Sequence, residues 1–371
     1  MKTRFILLGG FLGAGKTTLI GQLAQRYIAD GKTVAIITND QAADLVDTLN
    51  LRSQGFDVGE VAGACFCCSF DDLVETAGKL GQGKTPDVII AEPVGSCTDL
   101  VATVVLPLQQ ILGDQFELAP FGVLLKPSHG KRILNQSDSD SARSGFSPQA
   151  EYIFRKQLEE ADYLMIGRAD QLTDAEAESL RQQLNGVAPD VPVVLVSPKT
   201  GQGVDEVLGY IESPMIAGRR LLEIDYDTYA DGEAELGWVN LTATLTANSE
   251  INLDECVTSL VGDIAESIRS IDDASIAHLK ASLIADDTQA IANVVSNDSP
   301  VDLGLSSGRS ASTPMQVVVN ARVAMDPVEL ESICTASVHK TASDHSAEAA
   351  NITAHSLRPG RPTPTHRVTS A

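Results

Sequence analysis

Basic residues are scarce. Twenty-seven lysines and arginines stand against 50 aspartates and glutamates, a formal net charge of -23. A surface so short of cations cannot neutralise a phosphate backbone, which argues against nucleic acid as a partner. It suits the handling of cations, although acidity of this kind also serves solubility alone. Long apolar runs are missing too, so no bilayer-spanning segment and no membrane partner are expected. Met1-Lys2-Thr3-Arg4 ahead of Phe5–Leu8 faintly resembles a signal peptide, but the apolar stretch is too short and runs straight into a glycine-rich turn. A mature cytoplasmic start is the expectation. Cysteine is sparse at six residues, too few for a disulfide scaffold, and three of them fall at 65, 67 and 68. The adjacent pair Cys67 and Cys68 cannot easily join a structural disulfide framework. A reducing compartment with a metal-binding or redox thiol cluster fits better. The histidines (129, 278, 339, 345, 355 and 366) form no ligand-spaced pair.

At 371 residues the chain is too long for one simple core, and two domains are expected. The first part alternates apolar strand-like runs (Phe5–Leu8, Thr33–Thr38, Asp87–Ala91, Phe121–Leu125, Tyr163–Ile166, Pro192–Val196) with helical patterns. Helices are predicted at Lys16–Ala29, Ser69–Leu80, Thr98–Leu112, Gln149–Glu160, Thr173–Leu184 and Val204–Ile211. Ser69 with Asp72 and Thr173 with Glu176 read as capping boxes. Such alternation predicts an α/β fold with a mostly parallel sheet covered on both faces. Ser128–Gly145 reads as a polar insertion or mobile loop. The expected division is a nucleotide-binding domain over 1–212, an acidic connection over 213–237 and a smaller α+β domain over 238–371. In the latter, strands at Trp238–Ala247, Ile276–Ala285, Ala290–Val295, Gln316–Val323 and Asn351–Leu357 surround a helix at Leu253–Ile271 and another beginning at Asp326-Pro327. This β-α-β-β-(β)-α-β order is ferredoxin-like. From Arg358 the chain, with Pro359, Pro362 and Pro364, is expected to be extended or loosely ordered.

Four stretches carry chemistry. Gly10-Phe11-Leu12-Gly13-Ala14-Gly15-Lys16-Thr17 matches the phosphate loop G-x-x-x-x-G-K-T, between an apolar strand and an amphipathic helix. Glycines allow the backbone to wrap a triphosphate, and successive N–H groups with the helix N-terminus point at the anion. Gly10, Gly13, Ala14, Gly15, Lys16, Thr17 and Thr18 are therefore the expected nucleotide-binding set. Lys16 faces the β and γ phosphates, and the Thr17 hydroxyl holds Mg2+. In Asp87-Val88-Ile89-Ile90-Ala91-Glu92-Pro93-Val94-Gly95 an apolar strand ends in an acid, with glycine three residues later. Glu92 is the expected second Mg2+ contact, through water, and the Gly95 N–H the γ-phosphate sensor. Asp87 lies at the wrong end of that strand and reads as a surface or cap residue. Cys65-Phe66-Cys67-Cys68, just before a helix, offers soft thiolates that select Zn2+, Cu(I) or Co2+ over Mg2+. Strain between neighbours suggests two of them plus an outside ligand; the alternative is plain packing as small hydrophobes. Last, Gly167-Arg168-Ala169-Asp170 and Ser197-Pro198-Lys199-Thr200-Gly201 each follow an apolar strand. A carboxylate at Asp170 can accept both guanine N1–H and the 2-amino group, a pairing adenine does not offer.

Together these stretches resemble the CobW-type GTPases, a P-loop family of metal-handling proteins related to the nickel chaperones HypB and UreG. Gly10–Thr18 matches the family phosphate loop throughout, Asn39-Asp40 its switch start, Cys65-Phe66-Cys67-Cys68 its thiol motif and Glu92–Gly95 its Glu-x-x-Gly. The match covers the first domain, to about Ile211; the second is similar in position and size alone. Three departures stand out. Gly167-Arg168-Ala169-Asp170 replaces Asn-Lys-x-Asp, removing a polar brace, although the Arg168 stem can still pack on a base. Gln41-Ala42-Ala43 replaces Phe-Gly-Glu, leaving Asp44 as a stand-in acid. Cys97 lies just past the γ-phosphate sensor and is suggested as an extra metal ligand.

The resemblance implies a cytoplasmic GTPase that delivers a transition metal or metallo-cofactor to a client protein, with cobalt or corrinoid cargo first and zinc second. Lys16, Glu92 and Asp40 are then the catalytic residues, Arg168, Asp170, Ser197 and Lys199 hold the base, and a homodimer is possible. Two rivals remain: a small-molecule P-loop kinase, for which no arginine-rich lid is evident, and a nucleotide-dependent adaptor whose cysteines are structural.

Overall fold

The computed structural model describes residues 2–40, 46–81, 84–134, 147–312 and 314–369, the Asp40 side chain apart. The chain forms two compact units. One comprises residues 1–41, 56–232 and 361–371, the other residues 42–55 and 233–360.

The first unit is built on an eight-stranded sheet. Its strands are β1 (Thr3–Gly10), β2 (Val34–Asp40), β3 (Asp57–Ala62), β4 (Val88–Glu92), β5 (Phe116–Leu118), β6 (Gly122–Leu125), β7 (Tyr163–Ile166) and β8 (Val193–Leu195). They run in the order β3-β2-β4-β1-β6-β7-β8, with β5 beside β1, and every pairing is parallel. Phe5, Ile6, Leu7 and Leu8 of β1 are all buried, as a central strand covered on both faces requires. The crossovers carry α1 (Lys16–Ala29), α3 (Phe70–Lys79), α4 (Leu106–Leu112), α5 (Pro127–Ile133), α6 (Pro148–Glu159) and α7 (Asp174–Val187), and α8 (Val204–Ile211) follows β8. The helix α2 (Val46–Ser53) belongs to the second unit. Because β1 lies between β4 and β6, the chain reverses direction across the sheet there, and the carboxyl ends of these strands open a crevice.

Several local expectations need correction. The Thr173–Glu176 capping box forms, but Ser69 makes no side-chain cap. Its N–H bonds instead to the Cys65 carbonyl at 2.9 Å, which closes a turn and leaves Ser69 at φ -116°, ψ 46°, outside the extended backbone a cap needs. The helix expected over Thr98–Leu112 opens as a π-helical stretch, Val101–Val105, before α4. Pro107 has no N–H to give the preceding turn, which favours that wider winding. Of the polar insertion, Ser128–Leu134 is described, and it lies in or directly after α5; residues 135–146 lie outside the described residues. The acidic connection contains α9 (Tyr226–Ala234), whose first N–H groups are met by Asp225: Asp227 and Thr228 both donate to its carboxylate.

The second unit is an antiparallel sheet of β9 (Gly237–Ala247), β11 (Ser275–Ala285), β12 (Thr288–Val294), β13 (Asp302–Leu305), β15 (Met315–Ala324) and β16 (Ala347–Leu357). A small ladder pairs β10 (Ile251–Asn252) with β14 (Ser310–Ala311). The order β13-β12-β11-β15-β9-β16 contains β16-β9-β15-β11, the split β-α-β arrangement of ferredoxin-like domains, widened by the β12–β13 hairpin. Its helices α10 (Leu253–Arg269) and α11 (Pro327–Asp344) start on Asn252 and Asp326, whose side chains each accept two backbone N–H groups. Val317, Val319 and Ala321 of β15 join the core with α10 and α11. The alternate residues Val318 and Asn320 face the other way, where α2 packs: Val46 joins Ile291 and Val318, and its N–H donates to the Asn320 side chain at 2.8 Å. Cys256 and Cys334 are core residues here, their thiols pushed up to about 12 by burial. No described helix is long and apolar enough to cross a membrane.

Candidate nucleotide and metal site

The phosphate loop sits at the carboxyl end of β1 and runs into α1 without a side-chain cap. Gly10, Gly13 and Gly15 all have positive φ (139°, 70° and 101°), which bends the backbone as no bulkier residue could. Lys16 is buried and donates to the Gly10 carbonyl at 2.9 Å; its Nζ lies 3.9 Å from Glu92 Oε1. Thr17 Oγ1 donates to the same Glu92 oxygen at 3.1 Å. A cation, a hydroxyl and a carboxylate are thus gathered at the carboxyl ends of β1 and β4. Thr18 is exposed. Asp87 accepts from the Thr33 N–H and hydroxyl at 2.8 Å each, so it ties strand starts together far from the phosphate loop.

Gly95 touches the loop directly. A Cβ there would sit 3.0 Å from the Leu12 nitrogen and 2.7 Å from its Cδ2, so only glycine lets the segment after β4 approach this closely. Gln157 of α6 donates to the Gly95 carbonyl at 3.0 Å and to the Cys97 carbonyl at 2.8 Å. This buried amide is a positioning group that escaped the sequence reading. Its signal was a polar residue inside the apolar stripe Ile153, Phe154 and Leu158.

Cys65, Cys67 and Cys68 do converge. Their sulfurs are 3.0 Å (65 to 67), 3.4 Å (65 to 68) and 3.7 Å (67 to 68) apart. The anticipated strain between neighbours is relieved by the turn, in which the Cys65 carbonyl accepts from both Cys68 and Ser69. A tetrahedral Zn–S bond of about 2.3 Å implies sulfur spacings of roughly 3.8 Å, within a small adjustment of this triangle. Cys97 is buried beside Cys65, outside the tight group that Cys65, Cys67 and Cys68 form. Hydrogen bonds from Cys67, Cys68 and Cys97 hold Cys65 well below the usual thiol range, while its bond to Cys65 pushes Cys67 up.

Asn39 braces this loop. Its amide donates to the Val61 and Ala64 carbonyls at 2.9 and 2.8 Å, and its oxygen accepts the Phe66 N–H at 2.9 Å. Asn39 therefore holds the thiol loop against β2. Asp40 ends β2, and its side chain, like Gln41, Ala42, Ala43 and Asp44, lies outside what is described.

At the base end, Asp170 is exposed on a short turn over Ala169–Gln171, and Arg168 stands before it with φ 52°. Gly167 packs against the phosphate loop: a Cβ would lie 3.4 Å from the Ala14 carbonyl, so an asparagine there would reach across to it. The loop after β8 is pinned by buried Ser197, whose N–H donates to Gln202 and whose carbonyl accepts from Thr200 and Gly201; Lys199 is exposed. Lys126, at the end of β6, is pushed down to about 7 by burial, with Arg168 and Arg132 nearby.

The segment expected to be extended or loosely ordered runs extended over the thiol loop. The Thr365 N–H donates to the Cys67 carbonyl at 2.8 Å, and the Thr363 N–H to Cys68 Sγ at 3.2 Å.

A phosphate loop, an acid at the end of the neighbouring strand and loops after β7 and β8 at the same end of the sheet define a P-loop nucleotide-binding protein, here with a thiol cluster braced to the strand beside the loop. The chain belongs to the CobW/HypB/UreG nucleotide-binding family, whose domain model matches residues 4–195. A zinc chaperone CobW from Sinorhizobium is 26% identical over 54% of this chain and 60% of its own length. One from Pseudomonas aeruginosa is 27% identical over 53% and 56%. The urease accessory protein UreG of Haloquadratum walsbyi is 26% identical over 56% and 94%. The chain thus matches little more than half the length of the CobW relatives. The solved structure of HypB from Archaeoglobus fulgidus shares 16% identity over 56% of this chain and 88% of its own, at a TM-score of 0.38, too distant to bear on function.

Proposed function

We propose that the protein is a GTP-hydrolysing metallochaperone that couples nucleotide state to delivery of a transition metal to a client protein. The observation that carries this is the join made by Asn39: the strand that leads into the switch also holds the loop on which three sulfurs meet. GTP recognition falls to Arg168, Asp170, Ser197 and Lys199, and phosphate binding to Gly10–Thr18 and Gly95. Thr17 and Glu92 are hard-oxygen groups of the kind that hold Mg2+, which when bound would neutralise charge on the β and γ phosphates. Lys16 supplies the fixed positive charge, and Gly95 offers its N–H to the γ phosphate. Asp40 completes the catalytic set as the residue that enters the switch.

Relatives that carry the name zinc chaperone favour zinc over cobalt or a corrinoid as cargo. The acidic composition favours a protein client over nucleic acid or a membrane. The test is product analysis with γ-labelled GTP beside zinc stoichiometry of the reduced chain. Free phosphate, with one zinc per chain lost when Cys65, Cys67 and Cys68 become serine, supports the proposal. Label transferred to another acceptor would make the protein a kinase, and hydrolysis without thiol-dependent zinc would make it an adaptor.

A further inference from the structure

Cys97 reaches the thiol cluster from a different stretch of chain. It follows β4, where its N–H closes a tight turn on the Val94 carbonyl at 3.0 Å, and its buried thiol lies beside Cys65 at the edge of the three-sulfur group. Between Glu92 and Cys97 lies Gly95, pressed on Leu12 of the phosphate loop. Gln157 clamps Gly95 and Cys97 together through their carbonyls. The path from phosphate loop to sulfur is therefore short and held by named contacts: Leu12, Gly95, the Gln157 amide, Cys97, Cys65.

We propose that Cys97 is the fourth thiolate of the metal site and the ligand through which nucleotide state changes the site's closure. With Cys97 engaged, four sulfurs make a closed tetrahedral site; with Cys97 withdrawn, three sulfurs leave one position open for exchange. The inference rests on the metal-handling reading of the cluster. Cobalt(II) is the probe, because sulfur-to-metal charge-transfer absorption grows with the number of bound thiolates. Spectra are taken of the reduced full chain and of Cys97→Ser, each with GDP and with a non-hydrolysable GTP analogue. The expected result is a four-sulfur spectrum for the natural chain in one nucleotide state and a three-sulfur spectrum in the other. Cys97→Ser should bind one cobalt with the three-sulfur spectrum in both. Identical spectra for the two chains would overturn the assignment and leave Cys97 a packing residue. Failure of the natural chain to bind cobalt would overturn the metal reading itself.

A separate set of contacts supports a second inference. Residues 361–368 alternate between outward and inward positions along the first unit, as an extended strap does. Besides the Thr363 and Thr365 bonds to the thiol loop, Thr365 Oγ1 donates to the Cys68 carbonyl at 3.0 Å and His366 stacks edge-on against Phe70 at 4.9 Å. Arg367 then pairs with buried Asp99 at 2.7 Å, and the Val368 N–H donates to Ala102 at 2.9 Å. Cys68 is the cluster member with part of its surface outside the core, and the strap lies on it.

We infer that this strap gates access to the thiol site, so that metal enters or leaves only when residues 361–368 lift. Two variants test it. One ends the chain after Gly360; the other, Thr363→Pro, removes the N–H directed at Cys68 while keeping Arg367 on Asp99. The readouts are the rate of thiol labelling by an aromatic disulfide reagent and the rate of zinc loss to a chelator. Both should rise at least tenfold in both variants, with buried Trp238 fluorescence unchanged. Rates equal to those of the natural chain would overturn the gate, and so would acceleration in the truncated chain alone, which would mark Arg367 as a merely structural partner of Asp99.

Discussion

Asn39 accepts the Phe66 N–H at 2.9 Å, across a gap of 27 positions in sequence, and so fixes the thiol loop to β2. The same side chain donates to Val61 and Ala64, which makes it a three-way brace. Asn39→Ala leaves two carbonyls and one N–H to find other partners, at about 1–3 kcal/mol for each that remains buried and unmet. Zinc affinity should fall roughly tenfold or more while GTP affinity changes by less than about threefold. Competition titrations of both ligands check this; an equal loss of both would mean that Asn39 serves the nucleotide directly.

The proposed function places base choice on Asp170. It is exposed on its turn, where a carboxylate can take two donors from guanine. Asp170→Asn should lower GTP affinity roughly 30-fold, the scale of a charged hydrogen bond in a partly dry site, and leave ATP affinity nearly unchanged. Xanthosine triphosphate, which presents an acceptor where guanine has its amino group, should recover part of the loss. Unchanged GTP binding would move base recognition away from this loop.

Much of this site was legible in sequence because its chemistry is local. The phosphate loop, Glu92 at a strand end and the thiol run each announce themselves within ten residues, and α1 forms over the predicted Lys16–Ala29. What escaped depends on contacts distant in sequence. The helix α2 buries only Val46, Thr48 and Leu51, and its partners Ile291 and Val318 come from far along the chain. Residues 361–368 carry no periodic apolar pattern; backbone bonds to Cys67, Cys68 and Ala102 hold them. The joint action of Cys67 and Cys68 depended on a turn at Cys65 that adjacency alone does not reveal.

Lys126 predicts a pH effect. Burial, with Arg168 and Arg132 nearby, holds it at about 7 when folded, against an ordinary value of 10.5. Between those values the unfolded chain binds the extra proton, so stability rises with pH across that window, and below pH 7 the full penalty is constant. Lys126→Met should flatten that slope and gain roughly 2–4 kcal/mol near pH 7.5. Urea titrations followed by circular dichroism from pH 6.5 to 10 check this. A slope that survives the substitution would assign it to another group.

Lys16 predicts the clearest kinetic loss. Its Nζ is already held between the Gly10 carbonyl and Glu92, where the phosphates would lie. Lys16→Ala should reduce kcat/KM for GTP at least 100-fold, about 2.7 kcal/mol of transition-state stabilisation, while thiol-dependent zinc binding without nucleotide persists. A matching loss of that zinc binding would point to a collapsed fold.

The most direct test is zinc titration of the reduced protein against a competing chelator, with GDP, with a non-hydrolysable GTP analogue and with no nucleotide. It is repeated after Cys65, Cys67 and Cys68 are changed to serine. The account predicts at least a tenfold difference in zinc affinity between the two nucleotide states, about 1.4 kcal/mol of coupling, abolished in the serine variant. It also requires zinc to shift GTP-analogue affinity by the same factor. Equal zinc affinity in all three states, or affinity that survives loss of the thiols, would contradict the coupling of nucleotide to metal.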